Sequence, residues 1–207
     1  MNEVAFLLAK GKDILPWIPD AAGLRISVFR EYPYLYEGSM AYEEEYLATY
    51  AGSPDSLFVV ARAGGQTIGV SSGVPLIREP ATVQEPFVSA GIPPAEVFYF
   101  GESVLLAAWR GRGIGVRFFV EREEYARSLP EIRLAAFCAV NRPVDHPLRP
   151  AGYQPLDDFW QHRGFQKTGM ETSFTWQETG EASPSPKALT FWTKRLSVAR
   201  ENPSVLL

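Results

Sequence analysis

The chain has 207 residues, 46% apolar and 21% charged, with a formal net charge of −4 at neutral pH. That balance fits one globular domain with a sizeable core and weighs against a nucleic-acid binder, since no basic run offsets it. Cys138 is the only cysteine, which excludes an intrachain disulfide and a cysteine-rich metal site. No run of apolar residues is long enough to span a bilayer, and the first residues lack the features of a signal peptide, so a cytoplasmic protein without membrane partners is expected.

In chain order, Glu3 to Ala9 reads as a first strand and Asp13 to Arg30 as holding a helix capped by Asp20. Pro33 and Gly38 mark Glu31–Gly38 as non-helical, and Ser39 caps a second helix running to Tyr50. Ser56–Ala63 and Gln66–Leu76 flank Gly64-Gly65, a hairpin signal. Ile77–Glu96, rich in proline and glutamate, is either a functional loop or a surface excursion with one short helix. Val97–Trp109 is apolar, aromatic and β-branched and reads as one buried strand. A helix follows from Gly113, with Ile114, Phe118 and Tyr125 on its apolar side and Glu121, Arg122, Glu123 and Glu124 on the other, ending at Leu129-Pro130. Ile132–Val140 is a buried strand holding Cys138, and Asn141–Gln154 is irregular. Leu156–Arg163 is a short helix stopped by Gly164. Phe165–Gln177 and Ala188–Leu196 are strands joined by the loop Glu178–Lys187. Residues 1–196 form the single α/β domain, and 197–207 read as a loosely held tail.

Chemistry concentrates in Arg110-Gly111-Arg112-Gly113-Ile114-Gly115, between the strand and the helix. The first turn of a helix carries N–H groups without intrahelical partners, and its dipole favours negative charge. Alternate glycines let an anion approach those amides, and two arginines add charge, so a phosphate or pyrophosphate is the natural guest. The plain alternative is a strand-to-helix turn with solvated arginines. A dinucleotide fingerprint fails because Val116 stands at its third glycine, and no Gly-Lys-Ser/Thr closes a P-loop.

Arg110, Gly113 and Gly115 fit R-x-x-G-x-G, and here the sequence resembles the GNAT superfamily of acyl-CoA-dependent N-acyltransferases. Phe159-Trp-Gln-His-Arg-Gly-Phe165 resembles that family's short helix and following strand, and Phe191-Trp192-Thr193-Lys194 its C-terminal strand. The resemblance implies a mixed, mainly antiparallel central sheet flanked by helices. It also implies acetyl-CoA as cosubstrate; no metal is expected, because the one cysteine and two histidines form no ligand pattern. Its pyrophosphate would lie on Arg110, Gly111, Arg112, Gly113, Ile114 and Gly115, and its pantetheine on Asn141 and the backbone of Val104, Leu105 and Leu106. Glu102, the one carboxylate inside the apolar run, matches a general-base position, with a salt bridge as the alternative. Trp160 stands against the cofactor where the family usually has a tyrosine that protonates the leaving thiolate. An indole N–H cannot serve as that acid, which leaves Tyr153 as a weak substitute. Tyr32, Tyr34 and Tyr36 fall where relatives bind the acceptor, expected here to be a small-molecule amine. The resemblance allows a homodimer. His146 and His162 have no metal-ligand spacing. Two functions remain open: an N-acetyltransferase working by direct attack in a ternary complex, or a domain that binds acyl-CoA without turnover.

Overall fold

The central hairpin turns at Gly64 and Gly65, whose φ values of 57° and 82° are the paired left-handed positions that a two-residue turn requires. In the computed structural model, which describes residues 3–197, that hairpin is β2 (Leu57–Ala63) and β3 (Gln66–Pro75). The other strands are β1 (Ala5–Lys10), β4 (Val97–Tyr99), β5 (Ser103–Leu105), β6 (Leu134–Val140), β7 (Gln166–Trp176) and β8 (Ser185–Arg195). The helices are α1 (Ile18–Phe29), α2 (Met40–Ala51), α3 (Ala81–Ser89), α4 (Ile114–Ser128) and α5 (Asp157–Gln161).

The strands form one sheet in the order β1-β2-β3-β4-β6-β8-β7, with β5 also on β3. Among the described residues only the β4–β6 pairing is parallel, as expected of a mixed, mainly antiparallel sheet. Both faces are covered, which is why β2 is apolar at nearly every position. Leu57, Val59 and Ala61 pack with Ile114, Phe118 and Phe119 of α4. Phe58 and Val60 pack on the other face with Ile18, Ala21 and Leu24 of α1 and Leu47 of α2. On that same face Val83 and Phe87 of α3 cover Val97, Ala136 and Phe191. The connection 77–96 holds α3, which packs on the sheet between two short 3-10 turns. Among the described residues no helix is long and apolar enough to cross a membrane.

Several boundaries differ from the sequence reading. A 3-10 segment, Gly11–Trp17, precedes α1, and Asp20 lies in the first turn of the helix, accepting a bond from Thr67, rather than capping it. Ser39 does cap α2, accepting from the Tyr42 amide at 3.4 Å. β8 starts at Ser185, inside the expected loop, because Lys187 and Ser185 are anchored on Glu181. Beyond Ser197 the expected tail lies outside the described residues.

The difference that matters is in Val97–Trp109, which is two short strands rather than one. β4 pairs with β3 through Val74↔Tyr99, and β5 through Ser71↔Ser103. Between those pairs Ser72 and Gly73 face Phe100, Gly101 and Glu102, one residue more, so the strand bulges. The Phe100 amide still donates to Ala136 of β6 at 2.7 Å. Past that bond β6 pairs with β8 alone, and β5 and β6 part.

Candidate active site

The parting of β5 and β6 opens a cleft of about 1590 Å³, above the ~300–1,000 Å³ of an ordinary small-ligand pocket. One end is the start of α4. Gly113 is its N-cap at φ 81°, no side chain caps the helix, and Gly111 has φ 74°. A Cβ on either glycine would meet open space, so the left-handed backbone and not crowding is what requires glycine there. Gly111, Gly113, Gly115 and Val116 all line the cleft, which leaves the uncapped first-turn amides facing it. Arg110 lines it too, bonding the Leu105 carbonyl at 3.1 Å and Glu31 at 2.7 Å. Arg112 lies over the Trp109 ring at 4.9 Å.

Along the side runs the free edge of β5. The Ser72 amide donates to the Glu102 carbonyl and the Leu106 amide to the Ile68 carbonyl, so bonding alternation turns Glu102, Val104 and Leu106 toward β3. Ser103 and Leu105 therefore direct their backbone groups to the open edge, and both line the cleft. Of Val104, Leu105 and Leu106, Leu105 alone lines the cleft, together with Ser103.

Arg122 holds the bulge. The sequence placed it with Glu121 and Glu123 on a solvent face, yet all three are buried. Glu121 is covered by Arg117, and Glu123 by Arg127 and Lys194. The Arg122 guanidinium donates to the carbonyls of Ser72 and Glu102 at 3.2 and 3.1 Å and to Ser103 Oγ at 2.7 Å. It lies over the Phe100 ring at 4.2 Å. Burial pushes it down to about 9, opposed by Glu102, so it remains a cation at neutral pH. The carbonyls it reaches belong to β3 and to the bulge before β5, far away in sequence.

Glu102 lies on the opposite face of the sheet, 5% exposed. It is ion-paired with Arg25, which also pairs with Glu43, and it accepts from Ser72 Oγ. Burial opposes the Arg25 charge, but Glu102, Tyr46 and Glu43 outweigh it and hold the guanidinium above its usual value. Tyr36 donates to Glu43 at 2.6 Å, and burial together with that bond raises its hydroxyl. Tyr32 and Tyr34 line the cleft; Tyr36 turns into this network instead. Tyr34 is raised by burial, then by Cys138 and Tyr153. The thiol of Cys138 is pushed up to about 12 by burial and lies 3.1 Å from the Tyr99 hydroxyl.

Loops close the remaining walls. Arg142 donates to the carbonyls of Pro33 and Tyr34 at 2.6 and 3.2 Å and pairs with Glu178. Tyr153 lies edge-on to Tyr32 at 4.6 Å, its hydroxyl raised by burial and then by Tyr32, so it stays protonated. Trp160 packs on Phe137 and Trp192 and lines the cleft. Asn141 spends its side chain on Glu171 and Thr190, at 3.1 and 2.8 Å.

No protein-family model matches the sequence, and comparison with curated proteins finds no relative. Solved structures match almost the whole chain. A putative acetyltransferase from Acinetobacter baylyi superposes with a TM-score of 0.62 at 14% identity, over 99% of this chain and 97% of that one. NAA60 of Arabidopsis thaliana, bound to a bisubstrate analogue, gives 0.59 at 13% identity, over 94% and 100%. The ribosomal-protein-alanine N-acetyltransferase of Brucella melitensis gives 0.56 at 19% identity, over 92% and 99%. The fold is that of the GNAT acetyltransferases.

Proposed function

We propose that this chain belongs to the GNAT superfamily and moves an acyl group, acetyl first of all, from CoA to a primary amine. The observation that carries this reading is the continuity of the cleft. Uncapped amides and glycines at the start of α4 lead directly onto the unpaired edge of β5. A diphosphate on the amides of Gly113 to Val116 would leave a thioester arm running past Leu105 and Ser103 toward Gly101, where strand N–H groups could polarise its carbonyl. The amine nitrogen attacks that carbon, the C–N bond forms and the C–S bond breaks. The amine's proton passes to a base, and the thiolate takes the proton of Tyr153, a cleft hydroxyl that burial keeps protonated. Glu102, the carboxylate at the bulge, is the candidate for that base.

A small acceptor is favoured by the way the tyrosine loop is tied down. The Glu37 amide donates to the Gln177 carbonyl at 2.9 Å and the Thr179 amide to the Leu35 carbonyl at 2.7 Å, which joins that loop to the β7–β8 turn. Tyr32 and Tyr34 then form a closed wall, with cation–π contact available to an ammonium group. A polypeptide N-terminus is the second reading, prompted by the named activity of the Brucella enzyme. No step needs a metal. The test is thiol release from acetyl-CoA with a panel of small amines and short peptides, alongside titration calorimetry with CoA. Release with small amines supports the first reading and release with peptides alone the second. CoA binding without release to any amine would leave a binding domain, and absence of both would remove the proposal.

A further inference from the structure

One wall of the cleft, where the tyrosine loop meets the segment after β6, carries a cation that the fold leaves unpaired. That segment is irregular but stitched by three successive turns. The amide of His146 donates to the Pro143 carbonyl at 3.2 Å, that of Arg149 to His146 at 2.9 Å and that of Tyr153 to Pro150 at 3.0 Å. The Leu148 amide adds a bond to His146 Nδ1 at 3.2 Å. The Tyr32 ring lies 5.6 Å from the His146 ring and 4.6 Å from the Tyr153 ring, so the segment and the tyrosine loop form one wall. On it Arg149 is half-buried, its guanidinium 5.2 Å from the centre of the Tyr153 ring. Tyr32, Arg149 and Tyr153 all line the cleft.

The other arginines of the cleft are already engaged. Arg110 is paired with Glu31 and Arg142 with Glu178, and Arg122 is bonded to carbonyls. Among the described residues no carboxylate lies within ion-pair distance of Arg149, and Asp157, which shares the cleft, is no exception. Lys167 also lacks a carboxylate, but it is an exposed side chain on β7, opposite Trp192. The Tyr32 hydroxyl, in the same cluster as Arg149, is buried and has no hydrogen-bond partner among the described residues. An unpaired cation and an unpaired hydroxyl thus lie together, with no anion to meet them.

We infer that the acceptor amine carries a carboxylate and that Arg149 receives it, a reading that rests on the acyl-transfer function proposed above. A guanidinium is a planar fork whose paired N–H groups match the two oxygens of a carboxylate. One guanidinium balances one negative charge, whereas a diphosphate calls for the several amides at the start of α4. The turns and the Tyr153 ring hold Arg149 in place before a ligand arrives, so little ordering is left to oppose binding. An amino acid then meets the wall at two points, its nitrogen against the tyrosine faces and its carboxylate on Arg149.

The test pairs glycine, β-alanine, γ-aminobutyrate and ε-aminohexanoate each with the alkylamine that lacks its carboxylate, and follows thiol release from acetyl-CoA. At the chain length that spans the site, the wild type should favour the amino acid in kcat/KM by about 10-fold or more, the size of a charge-assisted bond. Arg149→Met should bring that ratio to about one by raising KM for the amino acid, with CoA affinity in titration calorimetry held. Arg149→Lys, which keeps the charge and loses the fork, should retain part of the preference. A ratio near one in the wild type at every length would overturn the inference, and so would a ratio that survives Arg149→Met. A loss of CoA affinity in Arg149→Met would overturn it too, because the guanidinium would then serve the cofactor's phosphates. Calorimetry of the same amino acids with the CoA-saturated protein separates this inference from the reading it rests on. Binding that Arg149→Met abolishes, without thiol release from any amine, would leave the carboxylate site standing while acyl transfer fails. Thiol release without preference would do the reverse.

Discussion

The two faces of the sheet where β5 and β6 part make an instructive comparison. On the α4 face the machinery is mostly backbone: glycines with positive φ, uncapped amides and a strand edge, with side chains such as Arg110 and Arg112 exposed beside them. On the α1–α2 face it is side chains with almost no water, a chain of Tyr36, Glu43, Arg25, Glu102 and Ser72. Backbone sites are cheap to build and open to a ligand. Buried ionic networks must be complete before they are tolerable, so each member is held by the others.

The harshest way to break that contrast is Arg25→Met. Arg25 is 13% exposed and its partners Glu43 and Glu102 are 0% and 5% exposed, so the substitution leaves two buried carboxylates without a cation. Urea unfolding should show a loss of about 3–5 kcal/mol. A loss under about 1 kcal/mol, the range of surface pairs, would mean the network is solvated and the contrast false.

Gly113→Asp tests the other face. It should lower CoA affinity about 100-fold, or ~2.7 kcal/mol, by placing a carboxylate where the diphosphate binds. Asn accepts the left-handed conformation nearly as well as Asp without the charge. Gly113→Asn should therefore lose far less, and equal losses in both would point to strain instead of anion binding.

Two aromatic side chains of the cleft sharpen the picture further. Tyr153→Phe should lower kcat by about two orders of magnitude if its hydroxyl supplies the thiolate's proton, with acetyl-CoA affinity unchanged. Trp160→Phe removes no hydrogen bond of the described residues and keeps a ring against Phe137 and Trp192, so it should change acetyl-CoA affinity by only about 1 kcal/mol or less. A pH profile altered by Trp160→Phe would show that the indole position matters to proton transfer after all.

This same contrast explains how much could be read beforehand. The hairpin, the Ser39 cap and the glycine loop are local: a few adjacent residues determine the backbone, so Gly64-Gly65 and Gly111 to Gly115 announce themselves. Arg122 and Arg142 carry no such mark. Arg122 looks like a solvent-facing helix residue until the bulge leaves carbonyls of Ser72 and Glu102 within its reach. Arg142 becomes a clasp only when the fold brings Pro33 and Tyr34 to it from more than a hundred residues away. The strand break was hidden for a related reason. Val97–Trp109 is apolar throughout, and only the one-residue excess opposite Ser72 and Gly73, a property of pairing and not of composition, divides it. Tyr36 shows the limit of grouping by position, since its neighbours Tyr32 and Tyr34 share the loop but not the direction.

The pair of Arg110 and Glu31 has a kinetic consequence. Both side chains are close to half exposed, at 44% and 47%, so their bond is worth ~0–1 kcal/mol and yields readily to a better anion. A diphosphate arriving at the α4 terminus is such an anion. It would draw Arg110 away and leave Glu31, at the head of the tyrosine loop, as an unneutralised carboxylate for an incoming ammonium. Thioester binding would then strengthen amine binding by up to about fivefold, the most that a pair of this strength can transmit. An amine KM about two- to fivefold lower at saturating than at trace acetyl-CoA would bear this out, and equal values would show that the latch carries no information between the two ends of the cleft.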